Sequence, residues 1–184
     1  VRRVSGQSLG SFFRDEIAGP LGIAFWSGTP EEVEPRVAPM MMHAPKPGDP
    51  IGEFMMKIMT DPRSTQALSL LNTGGFDPNS RACHAAEIGG GGGISNARGL
   101  AGMYAPLACG GELGGVRLVD RAQLARMGEV SVATNEDATL LIPTRFSLGF
   151  MKSMDNRRRP RGDRDSAILS SAAFGHVGAG GSIG

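Results

Sequence analysis

Proline and glycine divide this chain of 184 residues into short segments. Six prolines fall within residues 27–50, and five consecutive glycines occupy residues 89–93. Proline lacks the backbone N–H that helices and sheets need, and glycine favours turns. With 28 glycines and 12 prolines in all, we predict short elements joined by many loops. Residues 27–50 are predicted to be an ordered loop or lid without regular structure.

Apolar residues recur at helical spacing through the first two thirds of the chain, and several of these runs begin at a residue type that caps helices. Gly19-Pro20 is expected to stop the first helix, and Pro106 to kink the helix that contains it. Residues 76–94 lack this spacing and are predicted to be loop. The predicted helices, with their N-caps, are 8–18 (Ser8), 50–60 (Asp49), 64–71, 96–109 (Ser95) and 121–127 (Asp120).

Strand-like runs replace the helical spacing near the carboxyl end. The chain is therefore predicted to have an α+β fold in one domain, with a mainly helical part at 1–129 followed by antiparallel strands within 130–184. Residues 152–165 are rich in arginine and are predicted to form an exposed basic loop. The predicted strands are Val116–Val119, Val130–Thr134, Thr139–Ile142, Phe146–Met151 and Ala172–His176.

Charge and cysteine usage exclude several classes of function. Lys plus Arg number 19 and Asp plus Glu 18, and this balance does not favour binding to nucleic acid. Cys83 and Cys109 are too few for a disulfide scaffold or a four-cysteine zinc site. Neither His43 nor Cys83-His84 has metal-ligand spacing, so we predict no metal and no cofactor.

No apolar run approaches the roughly 18 residues that a membrane span needs. The chain starts at Val1 without a methionine and stops within a glycine-rich run, so we expect both ends to be cut. The compartment therefore stays open, with the cytoplasm favoured.

The glycine-rich stretch FGHVGAGGS at 174–182 carries the most information about a site. Here a strand runs into a turn whose backbone N–H groups can bind a developing oxyanion, while His176 can hold a proton or a carboxylate. The pattern alone favours a structural turn. Residues 180–184 also match G-x-S-x-G around Ser182, but His176 precedes the serine, which reverses the order of an α/β-hydrolase.

Six segments form an ordered set along the chain, and together they resemble the class C β-lactamase-like serine esterases. Residues 1–22 are similar to the segment after that family's second catalytic motif. His176-Val177-Gly178 is similar to its third motif, which is H-x-G in many esterases and D-peptidases and K-T-G in the lactamases. The four segments between them are 79–81 (NSR), 96–101 (NARGLA), 110–118 (GGELGGVRL) and 145–150 (RFSLGF).

The resemblance implies a partial β-lactamase/transpeptidase-like fold and nucleophilic catalysis. In that family a serine of an S-x-x-K motif attacks a carbonyl, and an acyl-enzyme forms and is then hydrolysed. By resemblance His176 lines the substrate pocket, Gly178 lets the substrate approach the backbone, and the Ala179 N–H is one oxyanion donor. The implied substrate is a small-molecule ester or amide.

The family's nucleophile and its tyrosine motif are missing. Three positions before Lys46, Lys57 and Lys152 stand His43, Phe54 and Gly149, so these residues contain no S-x-x-K. Tyr104 is followed by Ala-Pro rather than by Y-x-N. We therefore expect residues 1–184 to be one incomplete domain of a serine hydrolase, with no catalytic residue of its own and no activity alone.

Two alternatives stay open from the residues alone. One is a helical interaction module without chemistry, which uses the methionine-rich region 40–59 as a contact surface. The other is an α/β-hydrolase whose nucleophile is Ser182, which requires a helix directly after Gly184.

Overall fold

The computed structural model describes residues 1–41, 46–159, 168–178 and 181–183. The chain packs as two compact units, one built from residues 1–41 and 76–124 and the other from residues 42–75 and 125–184. Each unit combines helices with antiparallel strands, and the predicted α+β class is confirmed. The second unit holds the helices between residues 53 and 71 together with the carboxyl-terminal strands.

The helices are short, as the glycine and proline content predicts. None in the described part of the chain is long and apolar enough to cross a membrane. The α-helices are α1 (Arg2–Ser5), α2 (Leu9–Phe13), α3 (Gly19–Leu21), α4 (Glu53–Thr60), α5 (Thr65–Leu71), α6 (Arg81–Ala85), α7 (Ala97–Ala108) and α8 (Arg121–Gly128), with a π-helical turn at Arg14–Ala18 and a 3-10 helix at Glu31–Arg36.

Within the described residues, the strands form three antiparallel sheets. Two are two-stranded, and the third has five strands in the order β5-β6-β7-β8-β9, so each of its strands pairs with its sequence neighbours. The strands are β1 (Phe25–Ser27) paired with β2 (Gly93–Ser95), β3 (Glu112–Leu113) paired with β4 (Val116–Arg117), and β5 (Val132–Thr134), β6 (Thr144–Phe146), β7 (Met151–Lys152), β8 (Phe174–Gly178) and β9 (Gly181–Ile183).

The first predicted helix does not stop at Gly19-Pro20, and that prediction was wrong. Ser8 caps α2 as predicted, accepting the Ser11 N–H. The helix then widens into a π turn, in which the Gly19 N–H donates to the Arg14 carbonyl. Pro20 follows as an early residue of α3, where its missing N–H is tolerated. Gly22 ends the run in the left-handed conformation, at φ 62°.

The proline-rich segment contains regular structure where none was predicted. Residues Glu31–Arg36 form a 3-10 helix despite Pro35. The Glu34 carboxylate joins this helix to α6, because its Oε1 lies 2.8 Å from Nδ1 of the buried His84. A hydrogen bond of 2.7 Å from the Thr29 N–H to the His84 carbonyl holds the preceding residues to the same helix.

The second predicted helix begins later than Asp49-Pro50. Asp49 accepts the N–H of Lys46 at 2.7 Å and so closes a turn instead of capping a helix, while Gly52 stands at the N-cap of α4. Of the predicted apolar stripe, Ile58 is buried but Met55 and Met59 are 45% and 65% exposed. The spacing of apolar residues thus predicts helix α4 correctly, but fewer of these residues are buried than the pattern suggests.

Residues 76–94 are not a continuous loop, contrary to prediction. They contain α6, capped by Ser80 through the Cys83 N–H, and the first residues of β2. The expected N-cap Ser95 lies in β2 and donates its hydroxyl to the Ala24 carbonyl at 2.8 Å. Asn96 caps α7 instead, accepting the Gly99 N–H.

Two of the predicted strands were wrong. Residues 139–142 form a turn, because the Asp137 carboxylate accepts the N–H groups of Thr139 and Leu140 at 2.9 and 2.8 Å. The predicted strand Phe146–Met151 is split into β6 and β7 by a tight turn at Gly149, whose φ is 82°. Both changes arise because local side-chain and glycine geometry overrides the strand pattern.

Candidate functional site

The motif His176-Val177-Gly178 occupies the second half of β8, which lies between β7 and β9 in the sheet. β7 pairs only with the first half, at Phe174 and Gly175. The second half pairs with β9 alone, His176 opposite Ile183 and Gly178 opposite Gly181. On the β7 side, therefore, no strand of the described chain pairs with residues 176–178.

His176 is exposed at this position. Its Nδ1 lies 2.6 Å from the Val177 carbonyl oxygen. A carbonyl can only accept a hydrogen bond, so Nδ1 carries the hydrogen in this arrangement, and in the neutral ring Nε2 is the nitrogen that accepts. The ring can thus receive a proton or a donor group through Nε2.

Gly178 has free space in the direction that a side chain would take. A Cβ placed on this glycine meets no heavy atom within 4 Å, so the strand has free space beside it. Ala179, the third residue of the expected pocket, lies outside the described residues. The roles implied for His176, Gly178 and Ala179 stay predictions.

Several other candidates of the sequence analysis have surroundings that differ from those their predicted roles require. The Ser182 backbone belongs to β9 and pairs with Val177 in an antiparallel sheet, whereas a nucleophile elbow requires a turn from a strand into a helix. His43 lies outside the described residues. Cys83 is half-buried, and His84 directs its two ring nitrogens at Glu34 and the Pro78 carbonyl. The described residues hold no cluster that suits a metal ion.

Lys152 is the residue near this strand that sequence reasoning missed. It opens the segment that was predicted to be an exposed basic loop, yet only 3% of it is exposed, and this part of the prediction was wrong. It pairs with Phe174 of β8, and its Nζ donates to the Ala172 carbonyl at 3.3 Å. The sequence offered one indication of this burial: Lys152 directly follows the predicted strand Phe146–Met151, so the strand could extend by one residue to include it. Residues 160–165 of the loop lie outside the described residues.

Asp137 joins the turn at 137–142 to the start of β6. Burial by itself would raise the pKa of Asp137, but the N–H groups of Leu140 and Thr139 and the Thr144 hydroxyl together lower it below 3.8. Thr144 is buried and donates to Asp137 at 3.0 Å. Ionised Asp137 therefore holds the first residue of β6 in place.

Comparison with known proteins agrees with this architecture. A family model described as Beta-lactamase matches residues 1–184. The esterase/beta-lactamase LipL of Mycobacterium tuberculosis is 28% identical over 188 residues, which cover the whole of this chain and 41% of LipL. The chain thus spans about two fifths of the length of this relative.

Three solved structures share the fold over nearly the whole chain. A penicillin-binding protein homologue from Caulobacter crescentus has a TM-score of 0.68 at 26% identity, covering 95% of this chain and 42% of its own. A family VIII carboxylesterase has a TM-score of 0.69 at 31% identity, covering 98% and 43%. EstA from Arthrobacter nitroguajacolicus Rue61a has a TM-score of 0.73 at 28% identity, covering 97% and 44%. The predicted resemblance is confirmed, and the chain belongs to the Beta-lactamase family.

Proposed function

We propose that this chain forms the substrate-binding part of a serine hydrolase that cleaves a small-molecule ester or amide through an acyl-enzyme. Membership of the Beta-lactamase family supports the hydrolase class, and the likeness to a family VIII carboxylesterase supports ester substrates. The observation that carries the proposal is that His176–Gly178 have no strand partner on the β7 side, next to an exposed imidazole and a glycine with free space around it.

In this proposal the chain binds and orients the substrate. An ester lies along residues 176–178, with its carbonyl oxygen directed at a backbone N–H, for which Ala179 is the candidate. A serine hydroxyl attacks the carbonyl carbon. In the family this serine belongs to an S-x-x-K motif, which these 184 residues do not contain. The alcohol leaves with a proton, and water then hydrolyses the acyl-serine. Nε2 of His176 holds a hydrogen-bond donor of the substrate during these steps.

The first test is the binding of a neutral ester, diethyl succinate, followed by NMR of the backbone amides. We expect shifts at residues 176–178, and we expect Gly178→Val to weaken binding at least tenfold because its side chain fills the open space. The matched control is Gly90→Val, since a Cβ there also meets nothing within 4 Å. Equal affinity of both variants would argue against a site at this strand.

The second test is turnover of a chromogenic ester by the chain alone. We expect no turnover above the buffer rate, because the family's nucleophile motif is absent. Turnover that is lost in Ser182→Ala would instead support the α/β-hydrolase alternative.

One observation favours the alternative of an interaction module. Met55, Met56 and Met59 of α4 are 45%, 46% and 65% exposed, which is unusual for a group of large apolar side chains. The ester titration separates the two proposals, because a module without chemistry leaves the amides of residues 176–178 unshifted.

A further inference from the structure

Residues 29–40 form a proline-rich strap that is held against α6 and the turn before it by polar contacts. At the start of the strap, the buried Thr29 donates its N–H to the His84 carbonyl at 2.7 Å. At its end, the side-chain amide of Asn79 accepts the Met40 N–H at 2.6 Å and donates to the Met40 carbonyl at 2.9 Å. Between these two ends, the strap is held by the His84 ring.

The His84 ring has a hydrogen-bond acceptor at each of its two nitrogens. Nδ1 lies 2.8 Å from Oε1 of Glu34 in the strap, and Nε2 lies 2.8 Å from the Pro78 carbonyl oxygen. A carbonyl and a carboxylate only accept hydrogen bonds, whereas a neutral imidazole carries a single N–H. Both contacts are hydrogen bonds only if Glu34 and His84 together hold one hydrogen more than a carboxylate and a neutral ring do.

The surroundings of Glu34 favour placing that hydrogen on the His84 ring. The other carboxylate oxygen, Oε2, is buried without a hydrogen bond to any described residue, and it lies 3.6 Å from Nη1 of Arg81. A buried carboxylate is costly unless cations adjoin it. An imidazolium at Oε1 and a guanidinium at Oε2 supply two such cations. His84 is only 8% exposed, so water has little access to replace either partner of the ring.

The other ionisable groups of the elements packed around His84 are directed elsewhere or exposed. Arg36 of the strap lies over the Trp26 ring at 5.8 Å. Asp77, in the turn before α6, accepts the Asn79 N–H at 2.9 Å. Within the part of the chain that the structure describes, the remaining ionisable side chains nearby make no hydrogen bond to the ring, and they are Glu31, Glu32, Arg81, Cys83 and Glu87.

We propose that His84 is a pH-dependent latch, whose imidazolium fastens the strap to α6 and whose neutral ring releases it. When the pH rises and the ring gives one proton to the solvent, either Glu34 or the Pro78 carbonyl faces a nitrogen without a hydrogen. Two acceptors then meet in a nearly dry place, which is unfavourable. The Glu34 carboxylate also loses one of its two cations. The strap is therefore held more firmly at low pH than at high pH.

The first measurement is nitrogen-15 NMR of the His84 ring in the whole chain. We expect signals from two ring N–H groups at about pH 6, and from one after the pH is raised. A single ring N–H at the lower pH overturns the proposal, because the imidazolium is then not the form that contacts Glu34 and Pro78.

The second measurement is hydrogen exchange of the Thr29 amide, which reports on local opening of the strap. It is expressed as a protection factor, the ratio of the intrinsic to the observed rate, so that the intrinsic dependence of exchange on pH is removed. We expect this factor to fall about tenfold between about pH 5.5 and about pH 8.5, as the ring loses one hydrogen. A factor that is equal at both pH values overturns the proposal.

Glu34→Gln is the matched variant, because it keeps the shape of the side chain and removes its charge. The new side-chain amide can donate to Nδ1 of a neutral ring while Nε2–H donates to the Pro78 carbonyl. The strap thus stays fastened at high pH, and the Thr29 protection factor should change less than about twofold over the same range. An equal fall in this variant and in the natural chain contradicts the latch.

Two further variants complete the experiment. His176→Gln changes the exposed histidine of β8, in the other compact unit, and should leave the fall in protection unchanged; loss of the fall there would assign the titration to His176 and overturn the proposal. His84→Phe removes both hydrogen bonds of the ring, so the Thr29 amide should be poorly protected at either pH. Should His84→Phe not fold, Glu34→Gln decides the question.

Discussion

Gly99 shows how the lack of one side chain positions a helix. It is buried in α7, and a Cβ at this residue would lie 2.4 Å from the Ser95 hydroxyl oxygen and 2.5 Å from the Ala24 carbonyl oxygen. The same hydroxyl donates to the same carbonyl at 2.8 Å. The helix can approach this pair of groups only because residue 99 has no side chain.

Gly99→Ala is expected to destabilise the protein by about 1–3 kcal/mol, the range of an overpacked site. The gain in helix propensity of about 1 kcal/mol is smaller than this clash, so the net effect stays unfavourable. Urea unfolding measures it. Gly91→Ala is the control, because its Cβ meets nothing within 4 Å. Equal stability of the two variants would contradict the close approach.

At the scale of elements, side chains that reach from a helix to a loop decide where strands begin. Gln66 of α5 is 4% exposed, and its Nε2 donates to the carbonyls of Ala138 and Thr139 at 2.8 and 2.9 Å. These carbonyls belong to the turn that was predicted to be a strand. The helix thus stabilises the turn that precedes β6.

Gln66→Ala should cost about 1–3 kcal/mol, because it leaves two carbonyls without their donor in a partly buried place. It should also speed hydrogen exchange of the Leu140 amide. Gln123→Ala, at an exposed residue of α8, serves as the control and should change neither quantity. Unchanged exchange at Leu140 in Gln66→Ala would show that the turn holds without α5.

At the scale of the whole molecule, carboxylates set the response of stability to acid. The pKa of Asp137 is lowered in the folded chain, as described above, and that of Glu87 is lowered by the Gly10 N–H and the Ser8 hydroxyl. A lowered folded pKa contributes stability that is complete above the unfolded value and is lost as the pH falls through the folded value.

The contribution of these two groups to the free energy of unfolding should stay constant from pH 7 to about pH 5. It should decrease once the pH is lower than about 4. Asp137→Asn should cost about 1 kcal/mol at pH 7, a modest figure because the group is partly solvated. The difference from the natural chain should shrink as the pH falls through the lowered folded pKa of Asp137, because the carboxylate itself then becomes protonated. A difference that is independent of pH would contradict the role of the ionised carboxylate.

The sequence correctly predicted the helices and strands that depend on residues close to one another in the chain, such as a cap and the helix that it begins. Asp120 caps α8 as predicted, accepting the Gln123 N–H at 2.6 Å, and α5 lies within one residue of its predicted bounds. The order of the six segments also predicted the family, since each motif is a short run of consecutive residues that can be recognised without the fold. The strand that carries His176 was predicted as well, although it begins and ends two residues later than expected.

Features that depend on distant residues were decided only by the tertiary structure. Whether Lys152 is exposed depends on how β7 pairs with its neighbouring strands, and a shift of one residue would move its side chain to the other face. Ser95 and Asp49 fit the capping pattern but serve other partners, because a hydroxyl or a carboxylate takes whichever donor or acceptor folding brings closest. Composition, caps and motifs therefore determined the class and the short elements, while register and burial determined what the candidate site consists of.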